Sequence, residues 1–429
     1  MDELALTPPM GWNSWDCYGA SVTEEEVKGN ARYMAENLKS YGWEYIVVDI
    51  QWYEPEAKDS IYRPFVPLEM DAYSRLIPAP SRFPSSANGK GFKPLSDYIH
   101  NLGLKFGIHI MRGVPRQAVH ANTPIYGTEI RAREIASTNS ICPWNTDMYG
   151  VDPSKAGAQQ FYDSLFKLYA DWGVDYVKVD DIAYSDFGYE HYHAGEVELI
   201  RNAIDNCGRD IILSLSPGPA LLEYADHLKK NANMWRITGD FWDRWEDLFN
   251  AFEKCNQWSS HSGPGHWPDA DMLPIGHIGI RSWEHGLGDR WTRFTRDEQI
   301  TLITLWSIFR SPLMIGCELR DLDDWTLSLL TNEEVLRVLN HSHNGHQIFR
   351  YGNHIGWSAT DDENDDCYLA LFNTGPLEDH LEVQLSKVNL FGYYKVKDLW
   401  THEEIGNVSR TFVSSISSHG AKLFKLSKI

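Results

Sequence analysis

Residues 176–181 read YVKVDD, a short run of β-branched side chains that ends in two aspartates. Seven further short runs are strand candidates: MGWNSW (10–15), YIVVDI (45–50), KFGIHI (105–110), IILSLS (211–216), MWRITGD (234–240), WPDADML (267–273) and PLMIG (312–316). A connection long enough for a helix follows each run. Eight strands alternating with helices predict an α/β protein built on a (β/α)8 TIM barrel.

A doubly wound parallel sheet is the competing arrangement. Such a sheet usually opens with a glycine-rich phosphate turn after its first strand, and WNSWDCYG is not such a turn. The first helix is predicted over residues 23–39, where Thr23 and Glu26 form a capping box. Apolar side chains then repeat along one helical face at Val27, Ala31, Met34 and Leu38.

The pattern changes to short alternating strands after about residue 342. The predicted strands are QIFRY (347–351), HIGWSA (354–359), CYLALFN (367–373), HLEVQL (380–385), YYKVKDLW (393–400) and GAKLFKLS (420–427). Turn formers such as Gly352–Asn353 separate them. This spacing predicts a C-terminal antiparallel β-sandwich packed on the barrel. We therefore expect a barrel domain over 1–340 and a β domain over 341–429.

Charge and composition restrict the partners of this 429-residue chain. The formal net charge of -21 argues against nucleic acid or an anionic membrane surface, because both require a basic face. The sequence contains no run of 18 apolar residues, so it predicts no membrane-spanning helix. The six cysteines include no C-x-x-C pair, and the N-terminus lacks the pattern of a signal peptide. We expect a cytoplasmic protein with reduced thiols. The oligomeric state is left open, and a homo-oligomer is possible.

Charged side chains accumulate where the predicted barrel strands end. They are Asp49, His109, Lys178, Asp180, Asp181, Arg236, Asp240, Asp269 and Asp271, with Ser216 at the end of strand five. Any one aspartate could be a helix N-cap. Because the carboxyl ends of all barrel strands meet at one mouth, their convergence predicts an active site there. The 17 Trp and 21 Tyr fit either a large core or a sugar site.

Two chemistries use clustered carboxylates: glycoside cleavage by a carboxylate pair, and metal-assisted hydrolysis. His191 and His193 form a close histidine pair, and we interpret their segment as a solvated loop. Lys178 lies two residues before Asp180 and therefore on the same face of the strand. A neighbouring cation keeps Asp180 ionised and disfavours a metal ion. We expect no metal and no cofactor, and a small carbohydrate as substrate.

Five long blocks resemble glycoside hydrolase family 27, the α-galactosidases and α-N-acetylgalactosaminidases. They are MGWNSW, YADWGVDYVKVD, NMWRITGD, WPDADMLPIG and FRSPLMIG, in that order along residues 7–322. The resemblance implies a (β/α)8 barrel with a C-terminal β domain, no cofactor, and hydrolysis with retention of anomeric configuration.

The resemblance also implies roles for individual residues. Asp180 matches the nucleophile and Asp240 the general acid/base. The matching substrate-binding positions are Trp15 on the sugar face, Lys178 and Arg236 at the hydroxyls, Asp49 at the ring's outer hydroxyls, and Asp271 near the acid/base. His109 stands where the family often has Tyr, and Ser216 stands where α-galactosidases often have Glu.

Departures from the family pattern leave the substrate open. The second of two adjacent aspartates is Ile50 here, Asp181 replaces a small residue, and Ile182 replaces a cysteine that could pair with Cys142. Ser216 is followed by small residues that could admit a 2-acetamido group. α-Galactosidase activity is the first hypothesis, followed by α-N-acetylgalactosaminidase and then β-L-arabinopyranosidase, whose sugar is galactose without its hydroxymethyl group. A metal-dependent barrel hydrolase and an inactive sugar-binding protein are the alternatives from other classes.

Overall fold

The computed structural model describes residues 4–184, 191–283 and 286–429, and its largest sheet has eight parallel strands. They are β1 (Met10–Asn13), β2 (Tyr45–Val48), β3 (Lys105–Met111), β4 (Tyr176–Asp180), β5 (Ile212–Leu215), β6 (Met234–Arg236), β7 (Trp267–Asp269) and β8 (Leu313–Ile315). Strands β1 to β7 pair in sequence order, and β8 pairs with β1. A parallel bridge between Leu273 and Ile315 closes the ring between β7 and β8. The predicted barrel is confirmed.

A helix follows every barrel strand. The helices are α1 (Glu24–Asn37), α2 (Lys93–Asn101), α3 (Ala158–Trp172), α4 (Ala194–Asn206), α5 (Ala225–Asn231), α6 (Trp245–Trp258), α7 (Arg296–Phe309), α8 (Asp324–Leu330) and α9 (Glu333–Asn340). The predicted capping box is present, because the Thr23 hydroxyl accepts from the Glu26 N–H and the Glu26 carboxylate accepts from the Thr23 N–H. Helix α1 ends at Asn37 rather than residue 39, because a 3-10 turn over Lys39–Tyr41 follows it.

Some connections between barrel strands and helices carry structure of their own. Between β3 and α3 lie the short helices Arg116–Ala121 and Ala132–Ile135, and a small sheet of Val114–Pro115, Ala136–Ile141 and Met148–Val151. Between β7 and α7, His277–Ile278 pairs with Arg290–Trp291. The helix Trp15–Tyr18 directly follows β1. These connections stand at the mouth of the barrel and supply part of its walls.

The barrel interior below that mouth is filled by side chains. Tyr176, Lys178 and Asp180 are alternate residues of β4 and therefore share one face of the strand. The buried Tyr176 packs in a cluster with Tyr45, Val47, Ile212, Met234, Met272 and Met314. This cluster, the barrel floor, closes the barrel beneath Lys178 and Asp180.

The C-terminal strands are antiparallel and form two sheets. They are β9 (Ser342–Tyr351), β10 (His354–Asp361), β11 (Cys367–Asn373), β12 (Asp379–Gln384), β13 (Tyr394–Asp398), β14 (Glu404–Val408), β15 (Thr411–Ile416) and β16 (Ala421–Lys428). Six strands pair in the order β9-β10-β11-β16-β13-β14, and β12 pairs with β15. Leu369 and Phe424 of the larger sheet share a core with Leu381 and Phe412 of the smaller one. The predicted sandwich is confirmed, although β14 and β15 were not predicted.

The β-sandwich packs against barrel helices α6 and α7. Phe252 of α6 meets Phe372 edge to face, with ring centroids 4.9 Å apart, and Trp245 stacks on His419 at 3.7 Å. The Thr301 hydroxyl on α7 donates to the His419 carbonyl. Helices give way to strands between residues 340 and 342, while the division into two domains at that point stays a prediction. Within the described ranges, every helix is too short or too polar to cross a membrane.

Candidate active site

A pocket of about 330 Å³ opens at the C-terminal ends of the barrel strands. The nine residues that the sequence predicts for the site all line it: Trp15, Asp49, His109, Lys178, Asp180, Ser216, Arg236, Asp240 and Asp271. They belong to seven of the eight strands or to the residues that directly follow them. The barrel floor lies beneath. The fold therefore brings these nine residues together, whereas Asp181 and Asp269, which also end predicted strands, do not line this pocket.

Asp180 is the last residue of β4 and has cationic neighbours. Its carboxylate oxygen Oδ1 accepts a hydrogen bond of 2.8 Å from the Asp181 N–H, and its Oδ2 lies 3.5 Å from Nε2 of His109. Burial raises the pKa of Asp180, but His109 and Lys178 outweigh that effect and hold the pKa below its ordinary value. Asp180 is therefore ionised at neutral pH, as nucleophilic attack requires.

A fully buried carboxylate, Asp49, lies beside Asp180 and connects its cationic neighbours. Its Oδ1 is 2.7 Å from Nδ1 of His109, and its Oδ2 is 3.5 Å from Nζ of Lys178. The Asn13 amide donates to the same Oδ2 at 2.8 Å. Although burial opposes both charges, the Asp49 pKa is lowered and the His109 pKa is raised by their mutual attraction. The cluster thus keeps two basic side chains, His109 and Lys178, beside two carboxylates.

Asp240 occupies a more open part of the pocket. Its side chain is 66% exposed, and its Oδ1 lies 3.3 Å from a terminal nitrogen of Arg236. The same nitrogen lies 2.7 Å from Oδ2 of Asp271, which also accepts from the Phe241 N–H at 2.8 Å. Strand β6 ends at Arg236, so Asp240 lies in the following loop rather than at the predicted end of the strand. Asp240 can therefore meet both water and a departing group.

Ser216 and Pro217, which follow β5, also line the pocket. Gly218, one of the small residues expected to make room for an acetamido group, is not among the residues that line the pocket. A Cβ atom at Gly218 would lie 2.0 Å from the Thr238 carbonyl oxygen, so the glycine permits close packing against the loop after β6. Backbone packing is therefore a sufficient reason for a small residue at 218.

Further residues of the pocket wall were not predicted. They are Asp16, Ser60, Tyr62, Pro143, Trp144, Pro217, Phe241, Trp242 and Met272. Tyr62 stacks on Trp15, with ring centroids 5.9 Å apart. Such aromatic walls suit the apolar C–H faces of a pyranose. The fully buried tryptophans, including Trp12 and Trp235, belong to the core, so the aromatic content serves both of the purposes left open by composition.

Comparison with known families agrees with this geometry. A family model described as "Alpha galactosidase A" matches residues 7–156 and 153–341, and one described as "Alpha galactosidase C-terminal beta sandwich domain" matches residues 352–426. The chain belongs to the α-galactosidase family, glycoside hydrolase family 27. Members of this family are O-glycosyl hydrolases, so the chain is a glycoside hydrolase with a carbohydrate substrate.

Relatives of this chain within family 27 have names that refer to different sugars. A solved β-L-arabinopyranosidase from Geobacillus stearothermophilus is 63% identical with a TM-score of 0.97, over 99% of this chain and 97% of that one. A candidate α-N-acetylgalactosaminidase from Bacillus halodurans is 55% identical with a TM-score of 0.90, over 99% and 98% of the two chains. Alpha-galactosidase 2 of Arabidopsis thaliana is 26% identical, over 99% of this chain and 90% of the relative.

Proposed function

We propose that this family 27 chain is a retaining exo-β-L-arabinopyranosidase. The observation that carries the proposal is its 63% identity, nearly end to end, to the Geobacillus β-L-arabinopyranosidase, against 26% to the Arabidopsis α-galactosidase. The order of the sequence-based hypotheses therefore changes, because β-L-arabinopyranoside moves ahead of α-galactoside. A pocket of about 330 Å³ suits one terminal sugar, at the small end of ligand sites of about 300–1,000 Å³.

Ile50 supports the proposal by its chemistry. It is fully buried and directly follows Asp49, where the family resemblance implies a second aspartate for the ring's outer hydroxyls. An isoleucine cannot accept a hydrogen bond from the hydroxyl of a hydroxymethyl group. Arabinopyranose lacks that group, so its binding leaves no hydroxyl unpaired there. Apolar sites reject an added hydroxyl by only about 10²-fold, so we expect α-galactosides to remain weak substrates.

In the proposed reaction, the Asp180 carboxylate attacks the anomeric carbon while Asp240 protonates the glycosidic oxygen. A covalent glycosyl-enzyme forms and the aglycone leaves. Asp240, now ionised, then removes a proton from water as that water displaces Asp180, which restores both carboxyl groups and retains the anomeric configuration. The cationic neighbours of Asp180 and the exposure of Asp240 support this division of roles.

α-N-Acetylgalactosaminidase activity is the second candidate. Its support is the 55% identity to the Bacillus halodurans protein, together with Ser216 in the pocket wall. The packing of Gly218 against Thr238 removes one of the reasons for expecting space for an acetamido group. We therefore rank this activity below arabinopyranoside hydrolysis.

The test is a comparison of kcat/KM on p-nitrophenyl β-L-arabinopyranoside, α-D-galactopyranoside and N-acetyl-α-D-galactosaminide. We expect arabinopyranoside to exceed galactoside by about 10- to 100-fold, and no measurable hydrolysis of the acetamido sugar. Ile50→Asp should lower that ratio, whereas the matched apolar change Ile50→Val should preserve it. A higher kcat/KM on either of the other sugars overturns the proposed specificity.

A further proposal concerns the cellular setting. The six cysteines are buried free thiols, which supports a reducing, cytoplasmic location. The sequence leaves a homo-oligomer possible, and sedimentation velocity at several concentrations distinguishes it from a monomer.

A further inference from the structure

Arg112 lies one residue beyond β3 and contacts both residues at the end of β4. Its backbone N–H donates to the Asp180 carbonyl at 3.0 Å. Its guanidinium Nε donates to the Asp181 carbonyl, and a terminal nitrogen lies 3.0 Å from Oδ2 of Asp181. The Arg112 side chain is only 3% exposed. One buried side chain thus holds the residue after Asp180 by both its backbone and its carboxylate.

Two further buried groups fix the guanidinium of Arg112. Its other terminal nitrogen donates to Oε1 of Glu196, in the first turn of α4, at 2.9 Å. The second oxygen of Glu196 accepts from the hydroxyl of Tyr162 on α3 at 2.5 Å. The chain of contacts therefore runs from α3 and α4 through Arg112 to the end of β4. These elements belong to the rigid frame of the barrel, so they define a fixed reference for Asp181.

Asp181 has an unusual backbone conformation that matters for its neighbour. Its φ is +55°, in the left-handed region that aspartate, asparagine and glycine tolerate better than other residues. In this conformation its N–H points at Oδ1 of Asp180, at 2.8 Å. The hydrogen bond holds one carboxylate oxygen, while Oδ2 faces Nε2 of His109 at 3.5 Å, so the orientation of the carboxylate depends on the position of the Asp181 N–H. Cys142 is a free thiol and residue 182 is isoleucine, so a disulfide between these two positions cannot hold the segment.

We propose that Arg112 is a positioning residue, which orients the carboxylate of Asp180 by holding Asp181 in its left-handed conformation. The inference rests on the proposed function, because it requires Asp180 to be the nucleophile. Loss of the contact should leave the sugar-binding side chains in place while the attacking oxygen becomes less well oriented. The effect should therefore fall on kcat rather than on KM, because near-attack geometry determines the rate of the chemical step.

The test substitutes Asp181, whose removal leaves the ion pair between Arg112 and Glu196 intact. Asp181→Gly tolerates the left-handed backbone and keeps the carbonyl that accepts from Nε of Arg112, but it loses the carboxylate contact with Arg112. We expect its kcat to fall about 10- to 100-fold with KM changed less than about threefold. Asp181→Asn tolerates the same backbone and keeps an acceptor for Arg112, so its kcat should stay within about fivefold of wild type. All values are taken per mole of folded protein on the best p-nitrophenyl substrate.

A matched control comes from the opposite end of the same strand. Asp175 directly precedes β4 and pairs with Arg209 and with Nε2 of His100 at 2.7 Å. Asp175→Asn should lower the thermal midpoint without changing kcat, because its partners lie away from the pocket. An unchanged kcat in Asp181→Gly, or an equal loss in Asp175→Asn, overturns the inference.

A double-mutant cycle with Arg112→Lys tests whether the two residues act as one unit. Lysine keeps the charge beside Glu196 but cannot contact the carbonyl and carboxylate of Asp181 together. We expect the double variant Arg112→Lys/Asp181→Gly to be no slower than the slower single variant. Independent, multiplied losses would overturn the proposed coupling. Asp180→Ala is assayed in parallel: activity that survives there contradicts the proposed nucleophile, whereas an inactive Asp180→Ala with normal Asp181 variants contradicts only the role of Arg112.

Discussion

His109→Gln tests the electrostatic basis of the nucleophile. Nε2 of His109 lies 3.5 Å from Oδ2 of Asp180, a distance at which two unit charges interact by about 5 kcal/mol at an effective dielectric constant of about 20. Burial opposes part of that attraction, and an adjacent opposite charge typically lowers the pKa of a carboxyl group by about 1–3. Glutamine is neutral and keeps a polar group beside both aspartates. The substitution should therefore raise the pKa of Asp180 by about 1–3.

The assay is the pH dependence of kcat/KM, whose acid limb reports the essential ionised group of the free enzyme. Activity requires ionised Asp180 and is lost as pH falls through its pKa, which lies below the ordinary value in the wild type. In His109→Gln, the acid limb of the kcat/KM profile should move to higher pH by about 1–3 pH units. His354→Gln, at a histidine 2.8 Å from Asp379 in the β-sandwich, is the control and should leave the limb unmoved. Circular dichroism at each pH separates titration from acid unfolding.

Superimposable acid limbs for folded His109→Gln and the wild type are the contradicting result. That result would mean that Asp180 owes its ionisation to other groups. Lys178 would be the next residue to substitute, because it also lowers the Asp180 pKa.

Three other outcomes are expected. Asp180→Ala should lose turnover and regain part of it with azide, giving a glycosyl azide of inverted anomeric configuration. Asp240→Ala should still form the glycosyl-enzyme from 2,4-dinitrophenyl glycosides, and azide should then give a product of retained configuration. NMR assigns the configuration of the products, and swapped outcomes would reverse the two roles. Exhaustive EDTA treatment should leave activity intact, because Lys178 and Arg236 already supply positive charge to the carboxylates. If EDTA abolished activity and added Mn²⁺ or Zn²⁺ restored it, a metal-dependent mechanism would be favoured instead. Thr23→Ala should lower the free energy of unfolding by about 1 kcal/mol in denaturant titrations, whereas Thr23→Ser, which keeps the capping hydroxyl, should be nearly neutral. An equal loss in both variants would show that the capping hydroxyl is not responsible.

The barrel was predictable because its strands lie in short, mainly apolar runs, and a polar or charged residue stands at or just beyond the end of seven of the eight. Alternation along β4 placed Lys178 and Asp180 on one face, and the structure agrees. Strands β14 and β15 were missed for the opposite reason. Their sequences, EIGNV and TFVSSI, contain polar and small residues, and β14 is almost wholly exposed. Pairing with a neighbouring strand, rather than an apolar pattern, establishes β14.

The candidate site was predictable where its residues are tied to strand ends, and much less so elsewhere. Tyr62 and Trp144 lie in long connections whose course has no sequence period, so only the folded chain brings them to the pocket. Asp240 was expected on β6, yet that strand ends at Arg236. Arg236 pairs in register with Asp269 of the neighbouring strand β7, and its side chain reaches Asp271 two residues further on. Spacing along a single strand does not describe such a contact between neighbouring strands.

The barrel floor has a consequence for how the enzyme handles its product. Tyr176 and its apolar neighbours close the pocket from below, while Asp240 stands at the open side. In the proposed exo-acting reaction, substrate and freed sugar therefore share that open side, so the sugar has to leave before the next substrate enters. The enzyme would then dissociate from its substrate after each cut, and accumulating free sugar would compete with fresh substrate.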